Sequence, residues 1–323
     1  MTIGRPAVEL TVDGRGLSAP EAALAALRVE LGLGSALDGF TALLSHQSPV
    51  ADLDAGAAVE LALGYGNDTE VVLTGEVAVV ERLAAGVRVD GLAATCALAR
   101  TRAAQAYLDQ TVADIVRDLL DRAELDAGTI DASLKLSAYH VDERRTLWAT
   151  LVDLARLASC DLRASGDGKV HFHPPRSGPT ADHTLRYGAD LIAWSVGPRA
   201  PAGDPPAIVP FGAASEEGAE KWHIVLREPD GGSPSAYTRV IEALRDRDGA
   251  TALEQGLRRA ATRRATGGWL AMVGNPAVRP GDVIELSGMP NGEDGTVRAL
   301  AVTHRLDGVS GFRSLVTVEG VAA

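Results

Sequence analysis

Cysteine, aromatic residues and basic charge are all scarce in this sequence. Only two of its 323 residues are cysteine, Cys96 and Cys160, far apart and in no metal-type spacing. A disulfide framework is therefore not expected, and a reducing compartment fits better. Aromatics make up 4% of the chain, so alanine, glycine and valine carry the apolar content and a core of small side chains is expected. No apolar run reaches the ~18 residues that a membrane helix needs. The first residues, MTIGRPAVELTVDG, lack the charged start and apolar stretch of a secretory signal. Cytoplasmic synthesis without a signal peptide, and no membrane association, are expected. Acidic residues outnumber basic ones by 43 to 31, and residues 1–100 alone hold 13 acidic and 6 basic side chains. A nucleic-acid binder shows the opposite balance, so no sequence-specific nucleic-acid binding is expected.

At this length two or three domains are expected. The first hundred residues read mostly as strands: AVELTV (7–12) alternates, and 57–83 holds two or three strands around a GYGND turn. APEAALAALRVEL (19–31) is ambiguous, with alanines favouring helix and LRVEL suited to a strand. Near residue 105 the period changes. Val112, Ile115, Val116, Leu119 and Leu120 recur at helical spacing behind a Thr111–Asp114 capping pair. A second helix follows, with Thr146 as its cap and Leu147, Trp148, Leu151, Val152, Ala155 and Ala158 on one face. Next comes a hairpin whose Asp167-Gly168 pair suits a turn with positive φ. Four prolines between 198 and 206 mark a connector. Residues 251–268 carry helix signals, with Thr251 and Glu254 as a capping box and Gly267 as a stop. From Trp269 the chain returns to strands.

Several constellations invite a chemical reading. His171 and His173 share one face of a strand, with His183, Asp161 and Cys160 as the nearest further metal ligands in sequence. A lone His-x-His pair also reads as ordinary strand decoration before Pro174-Pro175. Cys160 follows a helix, where the dipole raises a thiol pKa, so it is a poor nucleophile. Asp246, Asp248, Gly249 and Glu254 do not match a calcium loop. Gly64 and Gly66 form no dinucleotide fingerprint, because no helix follows them. RRAATRR (258–264) reads as a solvated helix face, or as a contact with an acidic neighbouring subunit. No nucleophile, base and oxyanion site assemble. No catalytic, cofactor-binding or metal residue is assigned, no cofactor is expected, and the chain is read as a non-enzyme.

GNPAVRPGDVIELSGMP (274–290) and GTVRALAVTHRLDGVSGFRSLVTVEG (295–320) resemble the C-terminal β unit of the phage late control protein D family, the baseplate hubs of contractile tails. The residues that carry the resemblance are Gly274-Asn275-Pro276, Pro280-Gly281, Thr303-His304 and Gly311-Phe312. TVADIVRDLLDRAEL, the stretch around Thr146–Pro174, LRYGADLIAWSVG (185–197) and LALGYGNDTEVVLTGEV are similar to further family segments, in the same order, over about 5–320.

The resemblance implies a structural hub of a phage tail, tailocin or extracellular contractile injection system. Such a hub is a homotrimer joining a hexameric inner tube protein to a trimeric spike protein, with baseplate wedge components as neighbours, incorporated into the particle. The related type VI secretion spike proteins continue into an oligonucleotide-binding-like domain and a β-helix needle, so here the needle is expected to be a separate chain. The expected fold is α+β, mainly β. It comprises a first barrel-like domain (1–104), an α+β module of two helices and a hairpin (105–178), and a second barrel-like domain (179–323) with an inserted loop and helix at about 198–268. Two other readings stay open: a hydrolase with a histidine-based metal site, and a carbohydrate-binding β module.

Overall fold

The computed structural model describes residues 4–34, 37–176, 178, 180–200, 206–210, 213–215, 222–224, 238–245 and 247–322. The first β unit contains β1 (Pro6–Val12), β2 (Arg15–Ser18), β3 (Leu24–Gly32), β4 (Gly39–Leu44), β5 (Ala58–Tyr65), β6 (Asp68–Leu83) and β7 (Gly86–Ala93). The ambiguous stretch 19–31 resolves as a turn followed by β3. Leu27, Val29 and Leu31 are buried while Arg28 and Glu30 are exposed, a period of two that overrides the helix propensity of the alanines. All seven strands contribute to one core, so the sheet curls around it.

The middle module begins with α1 (Cys96–Arg100), β8 (Gln105–Thr111), α2 (Val112–Arg122), β9 (Ala127–Ile130) and β10 (Lys135–Val141), followed by α3 (Leu147–Ala158), β11 (Asp161–Ala164) and β12 (Val170–His173). Thr111 caps α2 by accepting from the Asp114 N–H at 3.2 Å. Thr146 caps α3 by accepting from Ala149 N–H at 3.3 Å. Helix α2 buries its expected stripe. Helix α3 buries Leu147, Leu151 and Ala155 together with Thr150 and Leu154 and leaves Trp148, Val152 and Ala158 half-buried, so its inner face is rotated from the expected one. Gly168 has a φ of +85° in the β11–β12 turn. Beyond the expected helices and hairpin, β8 pairs antiparallel with β10, and β9 pairs parallel with β12.

The remaining elements are β13 (His183–Arg186), β14 (Leu191–Pro198), β15 (Ala207–Pro210), β16 (Ala213–Ser215), β17 (Trp222–Ile224), β18 (Thr238–Ile241), α4 (Arg247–Arg264), β19 (Thr266–Val273), β20 (Val283–Ser287), β21 (Gly295–Asp307) and β22 (Gly311–Gly320). Two sequence expectations change here. Helix α4 starts at Arg247, so Thr251 lies inside it rather than at its cap, and Glu254 pairs with Arg258 at 2.7 Å. Gly267 belongs to β19 instead of ending the helix. The inserted helix also packs beyond the second β unit. Ala250 and Leu253 are buried in the core of the middle module, with Leu257 packed against it.

The two β units share one sheet of 13 strands. Its order is β14-β19-β22-β21-β3-β4-β7-β6-β5-β1-β2, with β20 also on β21 and β13 on β20. The link is β21. It pairs with β20 at Val297 and Arg298, and its later residues Ala301–Asp307 pair antiparallel with Gly32–Ala26 of β3. The class is therefore mainly β with an α+β module, as the sequence implied.

Candidate functional site

The residues that carried the family resemblance converge on the seam between the β units. Leu306 and Phe312, at the end of the β21–β22 hairpin, pack in the core of the first β unit. Gly274 lies beneath Phe312, and a Cβ there would overlap its ring. Tyr65 of β5 donates its hydroxyl to Gly274 O at 2.9 Å, and its ring sits 5.7 Å from that of Phe312. Asn275 N–H donates to Ser314 Oγ at 3.1 Å, and His304 Nδ1 meets the same oxygen at 2.9 Å. His304 is 1% exposed, and burial presses its pKa down to about 3, so the ring is neutral. Gly281, with a φ of +98°, lets the chain turn into β20, and its N–H donates to Ala299 O at 2.8 Å. Arg279 extends the grip, donating to Glu70 at 2.8 Å and to Val71 O at 3.0 Å on β6.

The middle module locks onto both units. Thr74 of β6 donates to Gly166 O at 2.8 Å, and Gly166 lies so close to Val71 that a side chain would collide with its carbonyl. Gly34 N–H donates to Leu162 O at 2.8 Å. On the other side, Arg298 of β21 is 2% exposed and pairs with Asp161 of β11 and with Glu319 of β22, the latter at 2.9 Å. Arg263 of α4 reaches the same Glu319 at 3.1 Å. Burial raises the pKa of Asp161 although Arg298 lies beside it. Removing one partner of such a cluster would leave an uncompensated buried charge, which is costly. Sequence reasoning missed Arg298. In an alternating strand it sits opposite Val297 and Ala299 and reads as an outward residue, but the module covers that face.

The chemical candidates are placed as follows. His171 lies over Gly128 and accepts from Thr129 N–H through Nδ1 at 3.1 Å; burial lowers its pKa. His173 Nδ1 meets Pro174 O at 2.9 Å. His183 is bound to Asp282 at 2.9 Å. Among the described residues no three histidine, cysteine, aspartate or glutamate side chains come together in a way that could hold a metal ion. Burial, reinforced by Asp161 and Asp131, raises the Cys160 thiol to about 12. The expected direction holds, but desolvation is the main cause. Of the calcium-loop residues, Asp246 lies outside the described residues and Asp248 is exposed. No helix among the described residues is long and apolar enough to cross a membrane.

A family model described as the Alg8 N-terminal domain matches residues 41–197. That stretch is just under half of the chain. It begins inside β4 and ends inside β14, cutting across both β units. No curated protein matches the chain. Solved structures match it along nearly its whole length. The 43 kDa tail protein of prophage MuSo2 from Shewanella oneidensis superposes with a TM-score of 0.69 at 13% identity, covering 97% of each chain. The tail protein from Neisseria meningitidis MC58 gives 0.72 at 12% identity, covering 98% of this chain and 96% of that one. An Escherichia coli protein, c3393, is described as a type VI secretion component similar to T4 bacteriophage tail proteins. It gives 0.61 at 13% identity, covering 97% and 76%. The chain has the fold of these phage tail proteins, the fold that the sequence resemblance implied.

Proposed function

We propose that this protein is a structural hub of a contractile tail or injection system, a homotrimeric adaptor between a hexameric inner tube and a trimeric spike. The observation that carries the reading is a whole-chain likeness to two phage tail proteins, without large unmatched regions on either side. The internal architecture supports it. Two β units in one sheet, keyed to a module by buried contacts, make a stiff body with two β surfaces per chain. Three copies would then present six such surfaces to a sixfold tube and a threefold face to the spike. The proposed domain plan is 1–104, 105–178 and 179–323, with α1 and α4 both contributing to the middle core. Inner tube, spike and baseplate wedge proteins are the partners, and the assembled particle is the location. The role is non-enzymatic. Replacing both His171 and His173 with alanine should leave assembly and firing intact; loss of a catalytic step would favour the hydrolase instead.

Light scattering tests the reading. A mass of three 33.5 kDa chains, alone or on a spike trimer, is expected. A stable complex of one chain with a spike trimer would overturn the ring.

A further inference from the structure

The RRAATRR stretch of α4 lines two adjoining clefts, one of about 790 Å³ beside residues 132–135 and 174–176 and one of about 570 Å³ between α3, α4 and the second β unit. The smaller cleft is lined by Arg156, Arg199, Arg263, Arg264 and Arg298 against only two carboxylates, Asp161 and Glu319. Arg259 lines the larger one. This concentration of positive charge stands out in a chain of net charge −12.

Three features indicate a built surface. Arg298 forms a fully buried part of the wall, and its Nε has no hydrogen-bond partner among the described residues. Arg199 lies across Gly267, where any side chain would press on its guanidinium. Among the described residues Arg199, Arg259 and Arg264 carry no ion pair, so three guanidinium groups on the walls of the two clefts are not neutralised by a neighbouring carboxylate.

We infer that this cleft docks an acidic polypeptide segment of a partner protein, one that alternates carboxylates with small apolar side chains. Val152, Leu257 and Ala260 supply apolar lining between the guanidinium groups, which suits leucine or alanine side chains of a peptide. A nucleic acid fits less well. Its bases would find no aromatic side chain in the cleft lining to stack on. Arginine forks bind carboxylates with two parallel hydrogen bonds, which gives such a site its selectivity. The inference stands apart from the hub reading, since the cleft belongs to the single chain whatever its oligomeric state.

The test uses the full chain and a fluorescein-labelled peptide of repeating Glu-Leu-Glu-Ala, read by anisotropy. Binding that weakens with salt is expected, with no binding of the Lys-Leu-Lys-Ala counterpart. The triple variant Arg199→Ser, Arg259→Ser, Arg264→Ser should weaken it about tenfold or more. A triple variant at Arg15, Arg102 and Arg144, away from the cleft, should bind as the parent does. Unchanged affinity in the cleft variant overturns the inference. So does oligothymidylate that binds more tightly than the peptide and loses affinity with the same substitutions. If the peptide binds only after deletion of the chain's own segment 216–221, which holds Glu216, Glu217 and Glu220, the cleft serves an internal segment and the inference also falls.

Discussion

At Gly274 the seam admits no side chain larger than hydrogen. Its neighbours there are the Phe312 ring and the Tyr65 hydroxyl, and both are held by further contacts. Gly274→Ala should therefore destabilise the protein by roughly 1–3 kcal/mol, the usual cost of overpacking a fixed site. Gly308→Ala is the control, since a Cβ there meets nothing within 4 Å. Thermal melting of both variants checks the point, and equal melting temperatures would remove Gly274 from the seam's critical contacts. A lone glycine in the sequence carries no such information. The family resemblance singled out Gly274 with Asn275 and Pro276, but only the packing of the β21–β22 hairpin explains why.

At the scale of elements, α3 depends on its first turn. Thr146→Ala removes the hydroxyl that satisfies Ala149 N–H and should cost about 1 kcal/mol in denaturant unfolding. An unchanged midpoint would show that solvent replaces the cap fully. This helix was legible in the sequence because cap and apolar stripe are local signals, and the same holds for α2. Strand β3 was half legible, since its alanines argued for helix until the partners on either side were known. The start of α4 was misplaced by one turn because Thr251 and Glu254 mimic a capping box inside a longer helix. The buried cluster of Arg298, Asp161 and Glu319 was not legible. Those residues lie up to 158 positions apart, and their meeting is a property of tertiary packing.

For the whole molecule, two buried ionisable groups set opposite responses to pH. Asp38 accepts from Gly32 N–H at 2.8 Å in the loop that meets the module, and burial raises its pKa from 3.8 to about 7. The folded state thus holds a proton that the unfolded chain releases. This contribution is complete below about pH 4 and is lost as pH rises through about 7. Asp38→Asn keeps the acceptor without the charge. It should be more stable than the parent above pH 7, by about 1–3 kcal/mol, and equal to it near pH 4. Parallel stability–pH profiles would refute this. His304 acts in the other direction. Its pKa is depressed from 6.5 to about 3, so its contribution is present above 6.5 and is lost on acidification. Strand β21 has a consequence for inheritance. Residues 301–307 complete the first unit's sheet by lying on 26–32, although nearly the whole chain separates them. A recombination event that swaps one β unit between related genes breaks this pairing unless both partners travel together. The two units should therefore descend as one block, together with the module that is locked onto both of them.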